Sequence, residues 1–379
     1  MRAMRMLLGA IALAASFATT DSHAGQVQTL YTSPAHHRIA AFAQDGGLVA
    51  WFAPDPHGCN LVWLWQIGSA QQRLPAQGAG YHNVTCRWQV PAGSPVGLAV
   101  AENSGAPALL WTLHESASRA LRFDYVLGAT AHDPNERRFQ EVAHASHGAG
   151  LWLGGIAGSG NTLVYSVAQV AYKDQVACLS TPTAPGACEL KVTGGGIYRI
   201  VGRRAPLSIK GAPAAVEVAA SGDNVAYVAA AETAAVDGQP VASPSDPVEI
   251  RNAVTGALMT SIEPSSTPVA IGLSANVLAL LGRAAGRLVL DWYDVQTGKS
   301  LGTLRLAPGA EPSISVADHA IVFRVGLSIR AVDVQSNTVT TVAKAAATPV
   351  GLSIAGDRVA WAENVRGRGR IRAVTLPAQ

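Results

Sequence analysis

Short apolar runs, each closed by a small polar turn, follow one another along nearly the whole chain. Their recurring unit is an apolar strand that ends on an aromatic residue: "LVAW" at Trp51, "ALLW" at Trp111, "TLVY" at Tyr165, "NVAY" at Tyr227, "AIVF" at Phe323 and "RVAW" at Trp361. "NVLAL" at 276–280 fits the same slot, with Ala279 in place of the aromatic. Ahead of most anchors stands another apolar segment and a turn, as in "AVEVAASGDN", "VAIGLSAN", "SISVADH" and "VGLSIAGDR". Turn residues between two short β-prone runs predict a tight hairpin. Pro95, Pro213, Pro268, Pro312 and Pro349 precede the first strand, where a residue without an N–H donor is tolerated.

A second hairpin follows the anchor, clearest in "VEIRNAVTGALMTSI" and "LVLDWYDVQTGKSLGTLRL". A third copy has Ser336-Asn337 where the others have Thr255-Gly256 and Thr297-Gly298. Gly or Asn supplies the positive φ such turns require. Each unit is therefore four strands, and the seven anchors predict a single all-β domain, a seven-bladed β-propeller over 25–379. The last unit provides three strands, and "QVQTLYT" at 26–32 is a spare strand that would complete it.

"YDVQTGKSLGTL" and the turns "SGDNVAY" and "AGDRVAW" resemble those of bacterial secreted β-propellers of the Tol-associated and quinoprotein-like kind. The resemblance covers nearly the whole chain after residue 24 and implies architecture alone, since these turns take no part in quinone chemistry. Fold by itself does not assign function.

In a four-stranded meander the first and third connections lie at one end, and the second connection and the crossing to the next unit lie at the other. The first set is mostly tight here, the insertion in the second unit that carries "ERRFQEVAHASH" at 136–147 being the main exception. The second set holds the longest insertions, 168–195 and 230–247, and long loops on a rigid scaffold commonly carry binding. That end is the expected binding face, with His37, Arg38, Asp55, His57, His114, Lys173, Asp174, Asp237, Thr267, Glu311 and Thr348 as its candidate residues. Glu217 is the only carboxylate in the first-strand segments as the pattern delimits them, where a buried, paired or solvent-facing structural role is expected rather than catalysis.

Composition adds the setting. Apolar residues make up 49% and charged residues 14% of the 379, which fits a folded body rather than a disordered chain. Arg2 and Arg5, the apolar run 6–18 and "SHA" at 22–24 have the order of a secretory signal peptide, so 1–24 is excluded from the fold and a periplasmic or secreted location is expected. No later apolar run is long enough to span a membrane. With export, four cysteines predict disulfides, preferentially Cys59–Cys86 and Cys178–Cys188. A net charge of +3, with "RGRGRIR" the one dense basic run, does not suggest nucleic acid as a partner.

The chain has no G-x-S-x-G elbow, P-loop, H-E-x-x-H or Cys-x-x-Cys spacing. No catalytic residue, metal or cofactor is assigned. The expected role is a monomeric, noncatalytic scaffold that binds a protein or cell-envelope ligand. The alternative is a propeller hydrolase or lyase acting on a glycan or peptide, with carboxylates gathered from several blades.

Overall fold

The computed structural model describes residues 25–377, except 55–59, 69–71, 75–96, 104–105, 119–120, 131–136, 147–148, 181, 183–185, 187, 202–204, 236–238 and 245. For 54, 60–62, 72–74, 102–103, 106–118, 121–130 and 137–146 only the backbone is considered. The expected signal segment and the Cys59–Cys86 pair lie outside these residues.

Strand β1 (Gln28–Thr32) stands apart from the sheet that follows it, β2 (Ala41–Asp45), β3 (Leu48–Pro54), β4 (Asn60–Gln66) and β5 (Gln72–Leu74), paired in that order. Next come β6 (Leu98–Asn103), β7 (Ala106–Ser118), β8 (Leu121–Thr130) and β9 (Arg137–Ser146), then β10 (Ala149–Ser159), β11 (Thr162–Tyr172), β12 (Leu190–Ile200) and β13 (Leu207–Ser208). A six-residue helix, α1 (Gln175–Ser180), sits between β11 and β12. The next group is β14 (Ala215–Ser221), β15 (Asn224–Ala234), β16 (Pro240–Ala242), β17 (Val248–Asn252) and β18 (Leu258–Ile262). Bridging pairs Ser146↔Ala149 and Lys191↔Thr233 join these three groups into one thirteen-stranded sheet. Two separate four-stranded sheets follow: β19 (Pro268–Leu273), β20 (Val277–Ala284), β21 (Arg287–Asp294) and β22 (Ser300–Arg305), then β23 (Ala310–Val316), β24 (Ala320–Val325), β25 (Ser328–Asp333) and β26 (Val339–Lys344). The last strands, β27 (Pro349–Ala355), β28 (Arg358–Val365) and β29 (Arg368–Thr375), take β1 as their fourth member, with Thr29 opposite Arg372 and Thr32 opposite Arg370.

The first strands of the groups neighbour one another in succession: β2 with β6, β6 with β10, β10 with β14, β14 with β19, β19 with β23, β23 with β27 and β27 with β2. Nearly all the secondary structure is β, and the sheets radiate from a common axis, a β-propeller architecture.

Packing explains why the second strands read as unbroken apolar runs. In β28, Val359 and Trp361 join a core shared with β24–β26, whereas Ala360 and Ala362 join one shared with β2 and β3. In β24, Ile321 and Phe323 face the β19–β22 sheet, and Ala320 and Val322 face the last one. Both faces of each such strand are covered, so the apolar–polar alternation of a half-exposed strand disappears. The anchors Trp51, Tyr227, Phe323 and Trp361 all turn toward the preceding sheet and are almost fully buried. Tyr227 keeps its polar tip satisfied: its hydroxyl donates to Glu249 and accepts from Arg251 Nε at 2.9 Å.

One anchor is corrected. Ala279 faces the following sheet, together with Val277 and Leu281, while Leu278 and Leu280 face the preceding one. Counted from the hairpin turn, Leu280 occupies the slot held elsewhere by the aromatic. The turn is Ser274–Val277, with Ser274 Oγ accepting from Val277 N at 3.0 Å, and a one-residue slip in register exchanges the two faces. Beside Ala279 on the same side lies Trp292, directly opposite it on β21, so the large ring of this sheet sits on the third strand.

Trp292 in turn lies over Gly302 of β22, where any added Cβ would run into the indole. Gly302→Ala is expected to lower stability by about 1–3 kcal/mol, the usual cost of overpacking, as measured by urea denaturation.

Candidate functional site

Two places on this scaffold bear on function: the axial cavity and the face with the insertions. The cavity holds about 280 Å³ and is lined by residues of all seven first strands, β2, β6, β10, β14, β19, β23 and β27. Six of the seven, β6 excepted, contribute residues at or near their C-terminal ends, so the cavity lies toward the tight first turns, away from the insertions. None of the described candidate binding residues lines it.

Its polar groups tie sheets together, in one case past the sheet that lies between. Asp45 accepts from Ser159 Oγ at 3.0 Å and from Gly160 N at 2.8 Å, linking β2 to the turn after β10. Gln44 Nε2 donates to the carbonyls of Ser353 and Arg358 at 2.9 and 3.1 Å, and Arg358 donates back to Gln44 Oε1 and to the Gly46 carbonyl. Ser315 Oγ accepts from Ile354 N at 3.0 Å, joining β23 to β27. Asp45 escaped the sequence reading because β2 runs two residues past the apolar segment. Its place directly before a Gly-Gly turn was the available signal.

Glu217, on β14 just before cavity-lining Val218, is held differently. Burial alone pushes its carboxyl up to about 7 from the ordinary 4.5. Below that ordinary value the group is neutral in folded and unfolded chains alike. As pH rises from about 4.5 to 7 the unfolded chain ionises first, so stability falls, and the penalty is complete above about 7. Glu217→Gln is therefore expected to be neutral near pH 4.5 and more stable than the parent above pH 7, by about 1–3 kcal/mol. Thermal denaturation across that range would show a gap that widens with pH.

The insertion between β11 and β12 is shorter than the sequence suggests, because both strands extend into it. Val170 pairs with Val192 and Tyr172 with Leu190. Trp152, Val170 and Leu190 form a small core under the insertion, flanked by Tyr172, Val192 and Ala234. Beyond it, Lys173 and Glu189 close the base with an ion pair at 3.0 Å. Asp174 Oδ1 accepts from Ala177 N at 2.9 Å and so caps α1, whose Cys178 is bonded to Cys188 as expected. Val176 and Leu179, three residues apart and on one side of the helix, stay 77% and 75% exposed. The neighbouring insertion rises beside this one, since Lys191 pairs with Thr233 and β16 pairs back onto β15.

The other candidates are distributed over the crossings of several sheets. His37 is half-buried, its carbonyl accepting from Gly369 N at 2.9 Å, and Arg38 is exposed beside it. Glu311 pairs with Arg324 at 3.5 Å; Thr267 is half-buried and Thr348 exposed. Among the described residues no hydrogen bond or ion pair joins one of these candidates to another. His114 lies on β7, and Asp55, His57 and Asp237 fall outside the described residues. Among the described residues no three His, Cys, Asp or Glu side chains gather as a metal site, and no helix is long and apolar enough to cross a membrane.

No protein-family model matches the sequence, and neither does any curated protein sequence. Solved structures do resemble the fold. An acylaminoacyl peptidase, crystallised with a chloromethyl ketone, is 9% identical over 86% of this chain and 49% of its own, with a TM-score of 0.50. The β-propeller domain of the Trilobed protease from Pyrococcus furiosus is 9% identical over 89% of this chain and 95% of its own, at 0.46. BamB from Moraxella catarrhalis is 13% identical over 93% of this chain and all of its own, at 0.41. At these identities the likeness concerns fold and carries no activity with it.

Proposed function

We propose that this chain is an exported, seven-bladed propeller that acts without catalysis, binding a protein or cell-envelope ligand on the face that carries the insertions. The seven-blade reading is supported by the first strands, which neighbour one another in one continuous order and share one cavity. Export is supported by the N-terminal sequence and agrees with the disulfide.

The observation that carries the binding role is α1. A cap, a disulfide, a basal ion pair and a small core hold this short helix in place, and its two aliphatic side chains are nonetheless left in water. A rigid apolar projection offers contact area whose ordering cost is already met before a partner arrives. The axial cavity makes a weaker candidate, since its polar side chains are engaged in holding the sheets together.

The test is a crosslinked pull-down from native envelope extract with the parent, a Val176→Ser/Leu179→Ser variant, and a variant with 174–190 replaced by a Gly-Ser linker. Both variants are first checked for folding by circular dichroism. A partner lost from both and kept by the parent is the expected result, with the double substitution weakening capture at least tenfold. Equal capture by all three would sink the reading.

A further inference from the structure

The last sheet ends on β1, its fourth and outermost strand. One side of β1 pairs with β29, and among the described residues no backbone hydrogen bond is made on its other side. Next to this open edge, β29 begins Arg368-Gly369-Arg370-Ile371-Arg372-Ala373, and the strand period of two sends the three arginines to one face. The pairing says which: Arg368, Arg370 and Arg372 stand opposite Val365, Glu363 and Trp361, and Trp361 turns toward the preceding sheet. Ile371 and Ala373 are buried on the other face, in the core shared with β2 and β3. On β1, Thr32 stands opposite Arg370 and Thr29 opposite Arg372, so two short, exposed side chains share the arginine face. The hairpin that opens β29 turns through Arg366 and Gly367 at φ 50° and 79°. The crossing from β1 to β2 holds it, since Ser33 N donates to the Gly369 carbonyl and Asn364 Nδ2 to the Ile39 carbonyl, both at 2.8 Å.

Locally this stripe has more positive charge than its surroundings answer. The carboxylate on the same face, Glu363, is fully buried and accepts from Ala346 N at 2.7 Å and from Arg372 at 3.4 Å. Arg372 is therefore engaged, whereas among the described residues no ion pair engages exposed Arg368 or half-buried Arg370. The side of β26 turned toward the last sheet presents Thr340 and Ala343, neither of them a counter-charge. On β24, Arg324 is paired with Glu311 at 3.5 Å. Every other third strand, β4, β8, β12, β17, β21 and β25, carries at most one arginine. In β17 that arginine, Arg251, is met by Glu249 of the same strand at 2.8 Å. The repeat therefore does not require an arginine stripe, and β29 has one beside an unpaired edge.

We propose that β1 takes an extended acidic segment of a partner protein as a fifth strand of this sheet, with carboxylates at alternate positions meeting Arg368 and Arg370. Neighbouring strands lie about 5 Å apart, so the added strand runs roughly 10 Å from β29. An arginine and a glutamate reaching toward each other span such a gap, and Thr32 between them is too short to block it. Alternate residues of an extended chain repeat about every 7 Å, the same interval that separates Arg368 from Arg370, so the two rows of charge stay in step. Main-chain bonds at the edge supply affinity, and the arginines select acidic sequences through charge-assisted hydrogen bonds. A second copy of this chain is a poor occupant, because antiparallel pairing of two β1 strands sets both arginine stripes on one face. A membrane surface is matched less well, since the stripe lies along the side of a sheet that faces its neighbour. The site is on the last sheet and goes beyond the role proposed for α1.

The test measures fluorescence anisotropy of a labelled peptide of alternating Glu and Thr, titrated with the parent protein and with Arg368→Gln/Arg370→Gln. Arg372 is left in place because it holds Glu363. Saturable binding by the parent, at least tenfold weaker in the double variant and weakened by added salt, is the expected result. Thermal denaturation of the variant should follow the parent, since neither substituted side chain makes an ion pair, and lost binding at an unchanged Tm then marks a lost contact. Two control peptides separate charge from strand addition: one with Lys for Glu, and one with Pro for Thr, which keeps every carboxylate and removes half the N–H donors. Each should bind at least tenfold more weakly than the Glu–Thr peptide. No binding of that peptide, equal binding by the double variant, or equal binding of the Pro form would overturn the proposal. So would displacement by inorganic polyphosphate at matched charge concentration, which makes the stripe a general polyanion site, or arginine-dependent cosedimentation with phosphatidylglycerol vesicles without peptide binding, which assigns it to a membrane. None of these outcomes bears on capture through 174–190, so the two sites stand or fall separately.

Discussion

A four-stranded sheet that is apolar on both faces is stable only when something covers each of them, and in this protein the cover is always another sheet of the same kind. Val359 and Trp361 need the sheet before β28, and Ala360 and Ala362 need the sheet after it. That requirement has no natural stopping point along the chain, because adding another sheet creates another bare face. It is met when the last sheet lies against the first. Here that contact is made by Ala360, Ala362 and Ile371 against Phe42, Val49 and Trp51, and β1 reinforces it by pairing with β29. The first and last described strands are thereby joined in one sheet, so detaching β1 would have to break a core as well as a strand pair.

Apolar faces alone do not fix how far each sheet leans on the next, and polar side chains supply that second constraint. Asp45 reaches to the turn after β10, Gln44 to β27, and Ser315 to the backbone of Ile354. Near the rim of the last sheet, fully buried Glu363 accepts from Ala346 N at 2.7 Å and from Arg372 at 3.4 Å. A buried carboxylate is tolerated when its oxygens are met in this way, and the bonds of Asp45, Gln44 and Ser315 fix distances between sheets that hydrophobic contact leaves loose. Glu217 is the contrasting case: its raised pKa comes from burial alone.

Turns and strand runs were legible in the sequence because both are local. Gly-Asp, Thr-Gly and Ser-Asn specify tight hairpins through backbone conformations few residues accept, and Asn337 does take the left-handed φ of 58°. Register within a doubly buried strand was less legible. In "VLALL" every position is apolar, so Ala279 and Leu280 were equally good anchors until Trp292 on another strand showed which side each faces. The extension of β11 and β12 was hidden for a related reason, since Gly194 and Gly195 read as loop when β12 in fact continues through them.

The two ends of the propeller differ for a reason rooted in this geometry. First turns crowd around the axis, where neighbouring sheets are close, and the residues there are used to hold sheets together. At the other end the second connections and the crossings lie farther from that network, and length or charge added to them disturbs no contact between first strands. The capped, disulfide-bonded helix is found there. It is rigid for a local reason, a covalent bond and a cap. A ligand meeting this face would therefore encounter a position fixed by the scaffold, and affinity would depend on the chemistry presented there rather than on reshaping of the propeller.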